Sequence, residues 1–169
     1  MIDKTCKSTV WLTPTHVLDA VRDLFGGQIG LDPATEPDNP TKAYRFFTKE
    51  DNGLLNSWNG YGSVFVNPPY GKELMTWVVK ICDEACRTWN PIVALLPGQR
   101  FETRVWQERL LPCGSLNHIV FIKGRLKFIR PGGEVAKSNP YGSMLYVFNR
   151  SREYVERLST LGHILSVKQ

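Results

Sequence analysis

The chain contains no apolar run long enough to cross a bilayer, and no signal peptide is visible at its N-terminus. Its three histidines and four cysteines have no spacing typical of a zinc site, a disulfide framework or a catalytic triad. A glycine-rich loop of the kind that binds phosphates is also missing. These absences favour a cytoplasmic protein without a metal ion and with free thiols. Cys82 and Cys86 lie on one face of a predicted helix, where their thiols can meet.

Acidic residues are the minority among the charges. Lys and Arg total 21 against 16 Asp and Glu, which gives a net charge of +5. This balance favours a polyanionic partner, although a basic protein without a nucleic-acid role can have the same composition. The acids concentrate in residues 32–51 and the bases in residues 123–137. The first segment therefore suits a cationic small molecule, and the second suits phosphates.

At 169 residues, 42% of them hydrophobic, the chain is expected to form one globular domain. Apolar periodicity and turn residues predict helices at residues 13–25, 72–88, 101–111 and 151–161. They predict strands at residues 28–31, 64–66, 92–96, 118–123, 126–129, 143–148 and 164–167. The long irregular segment 33–60 is of a kind that is more often functional than idle. This order of elements predicts an α/β protein whose sheet is mostly parallel, with an antiparallel edge near the C-terminus.

The most informative stretch is the apolar run Val64-Phe65-Val66, which ends abruptly in Asn67-Pro68-Pro69-Tyr70. Two consecutive prolines donate no backbone hydrogen bond, so the strand must stop at this point. Open α/β sheets bind their ligands at the carboxyl ends of their strands. The Asn67 side-chain oxygen and the Pro68 carbonyl can accept both protons of an amino group, and Tyr70 can stack on the attached ring. A simple strand-terminating turn with a packed tyrosine is the alternative.

This motif resembles the Asn/Asp-Pro-Pro-Tyr signature of S-adenosylmethionine-dependent amino-methyltransferases. The wider chain, over residues 11–149, resembles the small phage-type DNA N6-adenine methyltransferases. The resemblance includes four further segments, which are Trp11-Leu12-Thr13-Pro14, Leu31-Asp32-Pro33-Ala34, Asp51-Asn52-Gly53-Leu54 and Gly124-Arg125-Leu126-Lys127-Phe128. It implies a single Rossmann-like methyltransferase domain over residues 1–169. Its parts would be a cofactor half at about 11–60, a catalytic half at about 61–149, and a C-terminal helix and edge strand at 150–169.

The resemblance implies S-adenosylmethionine as the cofactor, bound by the first half of the chain. The residues that it assigns to cofactor binding are Thr13, Pro14, Asp32, Ala34 and Asp51. Asp32 would attract the cofactor's positive charge, and the helix start after Pro14 would face its carboxylate. The sequence departs from the family pattern where Thr35-Glu36-Pro37 replaces an expected Gly-x-Gly. A phage or prophage origin, and with it the bacterial host cytoplasm, also follows from the resemblance.

The resemblance further implies methyl transfer to N6 of adenine in DNA, with Asn67, Pro68, Pro69 and Tyr70 as the catalytic residues. The acceptors of this motif would stabilise the positive charge that develops on the amine nitrogen during attack. Arg125, Lys127 and Phe128 would bind the substrate. The extruded adenine would stack between the rings of Tyr70 and Phe128. Loops 33–60 and 123–142 would read the DNA sequence, because no segment is long enough for a separate recognition domain. Neither a membrane nor an obligate protein partner is expected.

Other functions remain open from the sequence. Enzymes that methylate RNA or a protein glutamine also use this motif, although the basic segment disfavours a protein substrate. A catalytically degenerate fold, kept as a DNA-binding module, is a third possibility because the cofactor glycines are missing. For individual residues, Phe128 is equally compatible with a core position, and Asp51 with a solvated loop.

Overall fold

The structure is a computed structural model that describes residues 11–130, 133–135 and 141–167. Cys6 and parts of the basic segment 123–137 and of the loop 123–142 lie outside the described residues. None of the helices among the described residues has the length and apolar character that crossing a bilayer requires.

Helices and strands alternate in the first part of the chain and strands predominate later. The helices are α1 (Thr15–Leu24), α2 (Leu74–Thr88) and α3 (Arg152–Val155), together with a π-helix (Trp106–Leu110) and a 3-10 turn (Glu156–Leu158). The strands are β1 (Leu31–Asp32), β2 (Arg45–Phe46), β3 (Val64–Val66), β4 (Ile92–Pro97), β5 (Leu116–Ile122), β6 (Ser143–Phe148) and β7 (Gly162–Ser166). Most predicted elements are therefore present, with ends shifted by a few residues.

In the part of the chain that the structure describes, seven strands form one sheet in the order β2-β1-β3-β4-β6-β5-β7. β1 pairs in parallel with β2 and β3, and β3 pairs in parallel with β4. The pairs β4–β6, β6–β5 and β5–β7 are antiparallel. The prediction of a mixed α/β fold is confirmed. The antiparallel part is larger than a single edge, because it includes every strand after β4.

Two apolar clusters cover the two faces of the sheet. Strand β3 supplies both, with Val64 and Val66 in the cluster under α2 and Phe65 in the cluster under α1. Successive side chains of a strand point to opposite faces, so a strand covered on both sides is apolar at every position. This burial explains why β3 and β4 are continuous apolar runs in the sequence.

Four predictions about the elements differ from the structure. Residues 126–129 form no strand, because Ile129 makes only single bridges, to Leu12 and to Val135. The predicted helix 101–111 is shortened to residues 104–110, most of them in the π-helix, and the predicted helix 151–161 ends with the 3-10 turn. Strand β2 lies inside the segment predicted to be irregular; its two residues are too few to produce a periodic pattern.

Candidate active site

The site lies at the carboxyl ends of the parallel strands. Asp32 ends β1 and Asn67 directly follows β3, and these two strands are neighbours in the sheet. The loops that leave them enclose a cavity of about 370 Å³ together with the start of α1 and the first turn of α2. Its polar lining includes Thr13, Asp32, Thr35, Glu36, Thr41 and Asn67. Its apolar lining includes Trp11, Leu18, Leu54 and Trp77.

Asp32 places a buried carboxyl group in this cavity. The residue is 2% exposed, and its Oδ1 accepts a hydrogen bond of 3.0 Å from the Ala34 amide. Burial raises the pKa of Asp32 to about 6, and the Ala34 hydrogen bond offsets only part of this effect. No ion pair to Asp32 occurs among the residues that the structure describes. A cationic ligand in the cavity would stabilise its ionised form.

Asn67 is held by its amide nitrogen. Nδ2 donates to the Trp11 carbonyl at 2.6 Å and to the Thr13 hydroxyl at 3.1 Å. A carbonyl oxygen only accepts hydrogen bonds, so the contact with Trp11 determines which side of the amide is nitrogen. Oδ1 is buried and has no hydrogen-bond partner within the described residues. This fixed oxygen can therefore accept a hydrogen bond from a ligand.

Tyr70 lies on the other side of the motif and lines a second cavity, also of about 370 Å³. The remaining lining residues of this second cavity are Trp11, Leu74, Pro97, Gln99, Arg100 and Tyr141. Asn67 and Pro69 line the first cavity, and Trp11 lines both. Pro68, which lies between Asn67 and Pro69 in the sequence, is buried. Burial raises the pKa of the Tyr70 hydroxyl, which donates to the Leu95 carbonyl at 3.4 Å. The Asn-Pro-Pro-Tyr motif therefore has one end at each cavity.

The predicted stacking of a base between Tyr70 and Phe128 is not possible in this arrangement of the rings. Phe128 is 1% exposed, and its ring meets Tyr70 edge to face, with centroids 6.1 Å apart and an interplanar angle of 79°. Trp11 packs on Phe128 at the same centroid distance. Phe128 thus belongs to the core, as the alternative interpretation had it. Arg125 and Lys127 are exposed and alternate with the buried Leu126 and Phe128; neither lines the two cavities.

The predicted cofactor residues divide into two groups. Thr13, Asp32 and Ala34 come together in the first cavity. Pro14 and Asp51 are not part of its lining. Pro14 precedes α1, and its carbonyl accepts the first helical hydrogen bonds. Asp51 is exposed, and its carboxylate accepts from the Thr48 amide and hydroxyl at 2.8 Å each, which holds its pKa below the usual range.

The sequence interpretation missed the loop 52–54 and Trp77 as parts of the cavity wall. Gly53 brings this loop against the backbone of Pro33, so closely that a Cβ at position 53 would lie 2.0 Å from the Pro33 carbonyl oxygen. Gly53 thus allows two loops of the cavity wall, 52–54 and the one that follows Asp32, to pack directly on each other. The signal was present in the Asp51-Asn52-Gly53-Leu54 segment, which sequence reasoning linked only to Asp51.

The three cysteines within the described residues are free thiols, as predicted, and a sulfur contact that was not predicted joins two of them. Cys82 and Cys113 are buried, Cys86 is exposed, and all three are free. Cys86 Sγ contacts Cys113 Sγ at 3.7 Å, so the partner of Cys86 comes from the segment before β5. Across residues 11–130, 133–135 and 141–167, no group of three His, Cys, Asp or Glu side chains is placed to hold a metal ion.

Comparison with known proteins identifies the class of protein. The family description "DNA N-6-adenine-methyltransferase (Dam)" matches residues 3–166, and the chain belongs to this family. The family expected from the sequence is thereby confirmed. The chain is similar to the DNA N-6-adenine-methyltransferase of Escherichia phage T1, with 27% identity over 158 residues that cover 85% of the chain. It spans 64% of the length of this curated relative.

Proposed function

We propose that this protein transfers a methyl group from S-adenosylmethionine to N6 of adenine in DNA. The observation that carries the proposal is the position of the Asn-Pro-Pro-Tyr motif between two cavities. The Asn67 side-chain oxygen there has no hydrogen-bond partner among the described residues. Membership of the family and the similarity to the phage T1 enzyme support the same reaction.

The first cavity suits the cofactor. S-adenosylmethionine, when bound, supplies an electrophilic methyl group on a positively charged sulfur. Asp32, buried and without an ion pair among the described residues, would hold a positive charge of the cofactor. Thr13 at the start of α1 provides a hydroxyl group, and Ala34, Leu54 and Trp77 provide apolar surface. This donor set fits a ligand that is cationic at one end and aromatic at the other.

The second cavity suits the target base. Its aromatic lining offers Tyr70 and Trp11 as surfaces for an extruded adenine, in place of the predicted pair of Tyr70 and Phe128. Asn67 Oδ1, together with the Pro68 carbonyl, would accept the protons of the adenine amine. These acceptors stabilise the positive charge that grows on the nitrogen as it attacks, and the proton can then leave to water. Catalysis is mainly positioning and electrostatics, because a sulfonium methyl group requires no activated nucleophile.

The substrate surface follows from charge. The exposed Arg125 and Lys127 would contact phosphates of DNA beside the second cavity, since they lie within three residues before the buried Phe128, which touches Tyr70. The net charge of +5 supports a polyanionic substrate. We assign Pro14 and Asp51 to supporting positions next to the cofactor, because their neighbours Thr13 and Asn52 line the cavity.

The fold type, the domain division and the cellular location are proposed on the same basis as the reaction. We assign the sheet to the Rossmann-like methyltransferase type in a single domain, with a cofactor half at 11–60, a catalytic half at 61–149 and a C-terminal part at 150–169. The parallel order β2-β1-β3-β4 and the site at its carboxyl edge support this assignment. The phage origin of the relative supports the bacterial host cytoplasm as the site of action.

Methyl transfer from labelled cofactor to DNA, RNA or protein tests the proposal. We expect label in N6-methyladenine of DNA only. Label in RNA or in a protein glutamine would contradict the assignment of DNA and would identify that molecule as the substrate. Cofactor binding without transfer to any of the three would indicate the degenerate DNA-binding module. Asn67→Ala serves as the low-activity control, and Asn59→Ala, in an exposed turn that lines neither cavity, as the matched active control.

A further inference from the structure

Trp77 carries a buried hydrogen-bond donor that finds no partner in the part of the chain that the structure describes. The residue lies in the first turn of α2, is 5% exposed and lines the first cavity. Its Nε1–H has no acceptor within the described residues. Two other tryptophans with buried indole hydrogen bonds provide a contrast. Trp58 donates to the Gly53 carbonyl at 2.9 Å, and Trp106 donates to the Tyr146 hydroxyl at 3.0 Å. Buried donors are nearly always satisfied, so the exception at a cavity wall indicates a ligand acceptor.

The indole ring is fixed in place by its neighbours. Trp77 stacks on Trp58, with ring centroids 6.4 Å apart and an interplanar angle of 29°. Trp58 is anchored in turn, because its own amide donates to the buried Glu84 carboxylate at 3.2 Å. Glu84 is also paired with Lys80 and Arg87. The direction of the Trp77 N–H is therefore set before a ligand arrives, which lowers the entropy cost of binding.

The surroundings of Trp77 define the kind of acceptor. It packs in an apolar cluster with Ala34 and Leu54, which line the same cavity. Thr13, Asp32 and Thr41 line the cavity from other elements, and Glu73, the acidic N-cap residue of α2, also lines it. A flat apolar group with one acceptor nitrogen matches this environment better than a carboxylate, whose burial among apolar side chains is costly.

We propose that the Trp77 indole N–H donates a hydrogen bond to a ring nitrogen of the cofactor's adenine, and so makes Trp77 a determinant of cofactor recognition. This inference rests on the proposed function, since it takes S-adenosylmethionine as the ligand of the first cavity. It assigns the apolar end of that cavity to the purine and leaves Asp32 for the positively charged end.

Calorimetry with S-adenosylhomocysteine tests the inference without methyl transfer. Trp77→Phe removes the N–H and keeps an aromatic ring. One uncharged hydrogen bond corresponds to a loss of about 3- to 10-fold in affinity. Trp106→Phe is the matched control, because Trp106 is fully buried in the same core cluster and does not line the cavity. We expect its affinity to stay within about twofold of the parent, as no ligand contact is removed.

The 1-deaza, 3-deaza and 7-deaza analogues of S-adenosylhomocysteine, each lacking one ring nitrogen, locate the acceptor. One analogue should bind to the parent protein about 3- to 10-fold more weakly than S-adenosylhomocysteine does. The affinity of this analogue should not fall further when Trp77→Phe replaces the parent protein. The inference is overturned if Trp77→Phe binds S-adenosylhomocysteine as tightly as the parent does. It is also overturned if all three analogues lose the same affinity, relative to S-adenosylhomocysteine, in the parent and in the variant. If Trp77→Phe does not fold, equal affinity of the parent for all three analogues overturns it. Absence of any binding by the parent would instead refute the proposed cofactor.

Discussion

Replacing Asp32 by Asn should stabilise the unliganded protein at neutral pH while weakening its binding of the cofactor. Asn has the same shape and keeps an oxygen that can accept the 3.0 Å hydrogen bond from Ala34. The substitution removes only the negative charge of the carboxylate. Burial raises the pKa of Asp32 from 3.8 to about 6, so the folded state disfavours the ionised form. The difference in pKa corresponds to about 3 kcal/mol in the free energy of unfolding.

The sign of the effect depends on pH. Because the folded state has the higher pKa, the contribution of Asp32 to stability is fully present below pH 3.8 and is lost as the pH rises through about 6. At pH 8 the parent therefore carries the whole penalty of a buried carboxylate. The new Nδ2 of Asn needs an acceptor of its own, so the expected net gain at pH 8 is about 1–3 kcal/mol. The gain should shrink between pH 6 and pH 4.

Urea unfolding at pH 4.5, 6 and 8 measures this effect, with the exposed Asp38→Asn as the matched control. Calorimetry at pH 7.5 should show cofactor affinity at least about 10-fold weaker in Asp32→Asn, because a buried charge pair is lost. The parent's affinity should fall as the pH drops through 6, and that of the variant should not. Equal stability of parent and variant at pH 8 would refute the buried carboxylate, and unchanged affinity would remove Asp32 from the cofactor site.

Three further perturbations address the motif, the substrate surface and the cavity wall. Asn67→Ala should lower single-turnover methylation about 100-fold, or roughly 3 kcal/mol, whereas Asn67→Asp keeps an acceptor and should be milder; parent-like rates in the alanine variant would reduce the motif to a turn. Replacing Arg125 and Lys127 by Ala should lower the slope of log K against log salt for DNA by about 1 per phosphate contact, and an unchanged slope would place the DNA elsewhere. Gly53→Ala should weaken cofactor binding about 10-fold in calorimetry, because its Cβ would lie 2.0 Å from a backbone oxygen. Gly114→Ala, with open space around its Cβ, is the control, and equal affinity in both would contradict a tight loop contact.

Where the sequence carried strong local signals, the structure agrees with the predictions. A continuous apolar run that stops at two prolines predicts a buried strand that ends there, and β3 ends just before Asn67, which lines the first cavity. The resemblance likewise placed Asp32 at a strand end before a proline, and β1 ends at Asp32. These features depend on a few adjacent residues, so tertiary packing did not need to be known.

Other features depend on contacts between distant residues. Phe128 alternates with basic residues, and only its packing against Trp11 and Tyr70 shows that it belongs to the core. Trp77 has the spacing of a core residue on α2, and only the packed structure shows that it lines the cavity and that its N–H lacks an acceptor within the described residues. Gly53 matters because its loop meets Pro33, 20 residues away in the chain. No local pattern encodes any of these three contacts.

The unequal lengths of the strands have a consequence for the motions of the protein. Strands β4 to β7 have five to seven residues each, whereas β1 and β2 have two and β3 has three. The register of β1 on β3 rests on a single residue pair, Leu31 with Val64. Amide hydrogens of β1 and β2 should therefore exchange with solvent well before those of β4 to β6, through local opening rather than global unfolding. A ligand that contacts both Asp32 and Asn67 would connect β1 to β3 a second time. Its binding free energy would then appear directly as slower exchange in the half of the sheet that it holds closed.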